Sequence, residues 1–222
     1  MEKDRFRGFV AVGVPGEVRD LLGSVASRLA PRFPQYRFVS CENLHITLLF
    51  LGDGIERNMT EVILSSLYDG VRGVSAFELG LGAPGSFPET GTPRVLYIGI
   101  GAGRDRLEDL ARKVRRSLSV LGFHEDKPFQ AHITLARRKR ENGFRRHTGN
   151  LSDESSLWRE TVVRALGKDD PPCCPATKAI WRVAEILLME SILAPQGASY
   201  EVLGRIPLGD AEVWETSGRT DV

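Results

Sequence analysis

The sequence predicts an α+β fold of two lobes that repeat one plan, and three observations carry that reading. The tetrapeptide His-Ile-Thr-Leu occurs twice, at 45–48 and at 132–135, so the same word recurs 87 positions apart. Each copy opens a β-like segment and has an amphipathic helix next to it in sequence. Several strands also follow one another with no helix between them, which strictly alternating βαβ units would not allow.

Taken in order, RGFVAVGV at 7–14 reads as a buried strand. GEVRDLLGSVASRLAPRF places Val18, Leu21, Leu22, Val25 and Leu29 on one helical stripe, ended by Pro31 and Pro34. YRFVS at 36–40 reads as a strand leading to the first motif strand, 45–51, which Gly52-Asp53-Gly54 closes. A helix is expected over 59–71, with Asn58 and Glu61 spaced as a capping box. Phe77, Leu79 and Leu81 alternate as in a half-buried strand broken by Pro84-Gly85, and RVLYIGI at 94–100 supplies another. The clearest helix spans 104–121, with Leu107, Leu110, Ala111, Val114, Leu118 and Leu121 on one stripe and Gly122 as its stop.

The second motif strand follows within a few residues. Beyond it RRKRENGFRRHTGN is basic and polar, 152–166 is compatible with a helix, and GKDDPPCCPATK has the composition of a loop. AIWRVAEILLMES at 179–191 and YEVLGRIPL at 200–208 read as two closing strands around Pro195-Gln196-Gly197.

The totals bound the function. With 222 residues and 41% hydrophobic content, the chain has enough apolar surface for a sizeable core. Its net charge of +1 provides no global attraction to nucleic acid or membrane, so any steering is local. The start lacks a secretory apolar region, and nowhere do 18 apolar residues run together, which makes the cytoplasm the expected location. Three cysteines, two of them the adjacent Cys173 and Cys174, form neither a disulfide framework nor a zinc-like cluster and are read as plain thiols.

On a strand, successive side chains point to opposite faces. His45 and Thr47 therefore share one face while Ile46 and Leu48 share the other, and the same holds for His132 and Thr134 against Ile133 and Leu135. Each motif strand buries an apolar face and offers an imidazole and a hydroxyl about 6–7 Å apart on the opposite one. If two such faces meet across a cleft, they suit a phosphodiester. One imidazole takes a proton from water and the other gives one to the leaving oxygen, while the hydroxyls donate to the phosphoryl oxygens. This chemistry requires no metal.

A single His-x-Thr on a strand is common and, taken alone, reads as a core or cross-strand position. Two copies, taking up half of the four histidines, are poorly explained that way. His124, in an expected loop, and His147, in the basic stretch, have no such partner and read as solvated. Neither motif histidine has a second metal ligand at i+2 or i+4, and the Gly-x-Ser-x-Gly and P-loop patterns are absent from the chain. A non-catalytic RNA- or nucleotide-binding module stays open as an alternative.

With FVAVGVP, ENLHITLLFLG, PRVLYIGI, PFQAHITLAR and SILAPQGASYEVLGRIPL in this order, the chain resembles the two-histidine (2H) phosphoesterase superfamily. Within it, the chain is similar to the RNA 2′,3′-cyclic phosphodiesterase family, also called the 2′-5′ RNA ligase family. The resemblance departs at Ala131, where the family usually has proline, and over about 141–179, which reads as an insertion.

The resemblance implies a single bilobal catalytic domain over 1–222, with two pseudo-twofold-related lobes of antiparallel sheet, helices outside and a central cleft. It implies opening of a terminal 2′,3′-cyclic phosphate on RNA to a 2′-phosphate, with His45 as acid, His132 as base, and Thr47 and Thr134 holding the phosphate. Arg137 is a further phosphate-binding candidate, although strict pleating assigns it to the face opposite His132. No metal and no cofactor are expected. The expected partner is an RNA with a 2′,3′-cyclic phosphate end, acted on by a monomer with no membrane and no obligatory protein partner. Weak reversible 2′-5′ ligation accompanies this reading, and a phosphodiesterase for a small cyclic nucleotide is its nearest alternative. The run Arg137, Arg138, Lys139, Arg140, Arg145 and Arg146 reads as a solvated face or as an RNA contact, and Phe50 and Phe129 as core residues or as rings that stack on a base.

Overall fold

The computed structural model describes residues 4–89, 91–139, 153–166, 179–194 and 197–209. Two sheets form around the two motif strands. The elements in chain order are β1 (Arg5–Gly13), α1 (Gly16–Leu29), β2 (Tyr36–Phe38), β3 (His45–Glu56), α2 (Met59–Val71), β4 (Phe77–Phe87), β5 (Val95–Ile100), α3 (Arg104–Ser119), β6 (His132–Arg138), α4 (Asp153–Leu166), β7 (Ile180–Val183), β8 (Glu185–Ala194) and β9 (Gly197–Pro207).

One sheet has the order β3-β1-β8-β9 and the other β2-β6-β5-β4-β7, with every described pairing antiparallel. The duplication is now explicit. In each sheet a motif strand pairs with the strand that precedes it by one helix, β3 with β1 and β6 with β5. The helices are exchanged: α1, which follows β1, packs on α4, which covers β4 of the other sheet, and α3, which follows β5, packs on β3 and α2. A continuous core joins both halves, including Val10, Ile46, Leu48, Ile98, Ile133 and Leu135. Each such side chain contributes about 1.5–3 kcal/mol by leaving water.

Several boundaries differ from the sequence reading. β3 does not stop at Gly52-Asp53-Gly54 but runs to Glu56, because Gly52 and Gly54 adopt φ of 101° and 77° and let the strand bend while it stays paired with β1. β4 likewise passes through Pro84-Gly85, with an irregularity between Leu81 and Pro84 that accommodates the proline. The capping box is not formed. Asn58 is itself helical, at φ −64° and ψ −19°, and its side chain makes no capping hydrogen bond. An N-cap side chain needs extended backbone to reach the free N–H groups. The segment 179–191 is not one strand either: Ala184 divides it into β7 and β8, one for each sheet.

Within 141–179, residues 153–166 are built into the core. Trp158 is fully buried, packs edge-on to Phe33 at 5.7 Å and donates its indole N–H to Gly85 O at 3.1 Å. Ser155 and Ser86 share a buried hydrogen bond of 3.0 Å. Glu154 accepts hydrogen bonds from Tyr36, Gln35 and Arg138. Cys173, Cys174, His147, Arg140, Arg145 and Arg146 lie outside the described residues. Truncation at Trp158→Ala is expected to cost about 3–5 kcal/mol of unfolding free energy in urea titrations. A loss below about 1 kcal/mol would show that α4 adds little to the core.

Candidate active site

Both motif strands carry the same irregularity. Against β1, Ala11 pairs with Thr47 and Val10 with Leu49, which makes Leu48 an extra residue. Against β5, Tyr97 pairs with Thr134 and Leu96 with Ala136, which makes Leu135 extra. A one-residue bulge lets two successive side chains face the core and returns the next to the opposite face. Leu48, Leu49, Leu135 and Ala136 are all buried accordingly. Phe50 thus joins His45 and Thr47 on one face, and Arg137 joins His132 and Thr134. The expectation from strict pleating fails for Arg137 for this reason. The signal was present in the doublets Leu48-Leu49 and Leu135-Ala136, which interrupt the alternation at the same place in both repeats.

The two imidazoles are held alike. Nδ1 of His45 lies 2.7 Å from Asn43 O, and Nδ1 of His132 lies 2.7 Å from Gln130 O. A carbonyl only accepts, so each Nδ1 carries a proton and, in the neutral ring, each Nε2 carries the lone pair. Aromatic rings flank both. His45 sits 4.8 Å from Phe9 and 5.0 Å from Tyr200, and His132 sits 5.0 Å from Phe87 and 5.2 Å from Tyr97. Tyr97 in turn lies tight over Gly85, where a Cβ would come within 2.4 Å of the ring. Opposite each histidine the partner strand has a glycine, Gly13 and Gly99, so no side chain crowds either imidazole from that position. These clamps were missed in the sequence, because they come from residues scattered over β1, β4, β5 and β9.

The faces also differ. Thr47 donates its hydroxyl to Nε2 of His45 at 3.1 Å. Nε2 of His132 has no hydrogen-bond partner among the described residues. Phe50 is 36% exposed, with the guanidinium of Arg7 4.6 Å from its ring centroid and that guanidinium paired to Asp53 at 3.0 Å. At the corresponding position of the other repeat stands Arg137, also exposed.

Burial lowers the pKa of His45 to about 4, against a hydrogen bond to Asn43 that raises it, and the charges of Arg137 and His132 lower it further. Burial likewise lowers the pKa of His132, opposed by Gln130 and reinforced by Arg137. Both imidazoles are therefore neutral near pH 7, and each feels Arg137. β3 lies against β6, and His45 is near enough to His132 and Arg137 for both charges to act on it, with Thr47 and Thr134 on the same strand faces as their histidines.

The neighbours of Arg137 are committed elsewhere. Arg138 is paired to Glu154 at 2.9 Å, and Lys139 donates to Pro34 O at 2.8 Å. Phe129 packs against the main core, and His124 is exposed in the loop before β6. Among the described residues no group of three or more His, Cys, Asp or Glu could hold a metal ion, and no helix is long and apolar enough to cross a membrane.

Comparison with known proteins follows the same outline. The family model described as the 2′-5′ RNA ligase superfamily matches residues 13–166. An RNA 2′,3′-cyclic phosphodiesterase from Thermus thermophilus is 36% identical over 209 residues, covering 91% of this chain and 90% of its own. One from Archaeoglobus fulgidus is 31% identical over 204 residues, covering 89% and 97%. The crystal structure of the Thermus thermophilus protein TT0787 superposes with a TM-score of 0.69 at 29% identity, over 92% of this chain and all of that one.

The lowered pKa of His45 links stability to pH. Between about pH 4 and 6.5 the unfolded chain binds a proton at this position that the folded chain does not. Its stabilising contribution is present above pH 6.5 and is lost as the pH falls toward 4. Going from pH 7 to pH 5, His45→Gln should gain about 1–2 kcal/mol relative to the parent protein in denaturant unfolding. Parallel pH dependence of the two proteins would contradict the assignment.

Proposed function

Because the chain belongs to the 2′-5′ RNA ligase superfamily, we propose that it hydrolyses the terminal 2′,3′-cyclic phosphate of RNA to a 2′-phosphomonoester by metal-independent acid–base catalysis from two histidines. The observation that supports this reading is the pair of identically bulged strands, which sets Phe50 on the face of His45 and Thr47 and Arg137 on the face of His132 and Thr134.

In this reading the cyclic phosphate lies between the imidazoles. His132 takes the proton of an attacking water on Nε2, the lone pair that no described residue occupies. The new P–O bond forms as the P–O3′ bond breaks, and His45 delivers its Nε2 proton to O3′, leaving a 2′-phosphate and a 3′-hydroxyl. His45 must be charged for that step. The phosphodiester anion supplies the counter-charge that the free site lacks, so substrate binding and protonation of His45 favour each other.

Thr134 donates to a phosphoryl oxygen, and Thr47 turns from Nε2 of His45 to do the same once that nitrogen is protonated. Arg137 meets the phosphoryl oxygens through its planar fork. Phe50, backed by Arg7, offers its open face to the terminal base. A 2′-hydroxyl is needed to form the cyclic ester, so DNA is not a substrate. A 5′-hydroxyl in place of water attacks the same phosphorus and expels O3′, which leaves a 2′-5′ linkage and a free 3′-hydroxyl.

The assay uses an RNA oligomer ending in a 2′,3′-cyclic phosphate, in excess chelator. Turnover persists in the parent protein, and His45→Ala and His132→Ala each lose about 10²–10⁴ in kcat. Full activity in either variant removes that histidine from the mechanism, and RNA binding without product at any pH favours a pure binding protein. Arg137→Lys keeps the charge but loses the two-point contact and should lower kcat about tenfold or more. Phe50→Ala should act mainly on KM, by about five- to a hundredfold.

A further inference from the structure

Past His45, the cleft-side face of the β1 sheet opens into a cavity of about 500 Å³, a volume in the range of nucleotide-sized sites. Its lining includes Arg19 of α1, Arg182 of β7 and Arg205 of β9, so three separate elements contribute an arginine to its walls. Two carboxylates accompany them. Glu185 is paired to Arg205 at 2.5 Å, and Glu42, at the rim, accepts hydrogen bonds from Ser40 and Cys41. Neither Arg19 nor Arg182 is held in an ion pair among the described residues. Trp181, 7% exposed, lines the same cavity, and its buried indole N–H has no acceptor among the described residues. Orphaned donors of that kind are rare in native interiors and call for a partner.

The position of the cavity matters as much as its charge. It gathers residues 13–15 and 42–44, which precede the motif strand, whereas Phe50 lies five residues beyond His45. His45 and Thr47 therefore stand between the cavity and Phe50. A ribose branches in the same sense: from C3′, C2′ leads to C1′ and the base, whereas C4′ leads to C5′ and the preceding phosphate. With O3′ at His45 and the base on Phe50, the 5′ side of the terminal nucleoside is directed to the cavity.

We propose that this cavity is a subsite for the penultimate nucleotide of an RNA strand, in which Arg19 and Arg182 hold the phosphodiester on the 5′ side of the terminal nucleoside. Tyr200 and the 41%-exposed Val202, both in its lining, offer apolar surface to the penultimate sugar and base. The proposal rests on the reading of His45 as proton donor to O3′. It makes an RNA end, rather than a free cyclic mononucleotide, the preferred substrate.

The test compares adenosine 2′,3′-cyclic phosphate with the dinucleotide ApA carrying the same cyclic end. The ratio of their kcat/KM values, dinucleotide over mononucleotide, should be about tenfold or more, the usual worth of a hydrogen bond to a charged group. In the double variant Arg19→Ala/Arg182→Ala that ratio should fall to near one. Because it is a ratio within one protein sample, partial misfolding of the variant does not move it. A parent ratio near one, or a ratio that survives the double substitution, overturns the subsite while leaving cyclic phosphate hydrolysis in place. No hydrolysis of either substrate overturns the functional reading itself and the subsite with it.

Discussion

Strands β3 and β6 each carry one residue more than the strand they pair with, and everything in the cleft follows from where that residue falls. A pleated strand without the bulge would present His and Thr to the cleft and send the sixth residue of each repeat into the core. With it, Phe50 and Arg137 emerge beside the imidazoles, and Leu48-Leu49 and Leu135-Ala136 anchor the strands by burying paired apolar side chains. On the face that carries the imidazoles the two repeats then diverge, with Phe50 in one and Arg137 in the other. An aromatic ring stands on one side and a fixed positive charge on the other, which gives a nearly symmetric cleft a direction along which an asymmetric nucleotide can lie.

The imidazoles illustrate how the fold spends stability on chemistry. Each is kept in one tautomer by a carbonyl two residues earlier and fixed in orientation by flanking rings. The same enclosure strips water from the ring and depresses its pKa. Near neutral pH each ring is therefore uncharged, and negative charge placed beside it would raise its affinity for a proton.

Much of this was legible in the residues. The period-two pattern of HITLLF and HITLAR, and the helical stripes of 18–29 and 104–121, located the elements that bear the site. They did so because burial of one face and exposure of the other leaves a direct imprint on the sequence. What lay hidden depended on non-local pairing. Gly52 and Pro84-Gly85 look like stops, yet cross-strand hydrogen bonds carry β3 and β4 through them. Asn58 has the identity of a helix cap without the backbone angles of one. The rings around His45 come from β1 and β9, and those around His132 from β4 and β5, so no window along the chain contains them. The helix within 141–179 was visible, but the burial of Trp158 and the links from Glu154 to Tyr36 and Arg138 were not.

The exchange of helices between the two sheets bears on how the cleft can move. Since α1 leaves one sheet to join the helical layer of the other, and α3 makes the reverse journey, the halves are laced together like folded arms. Prying them apart would mean tearing two amphipathic faces off their supports, not flexing a linker. The placing of β3 against β6, and of the histidines they carry, is therefore acquired as the chain folds.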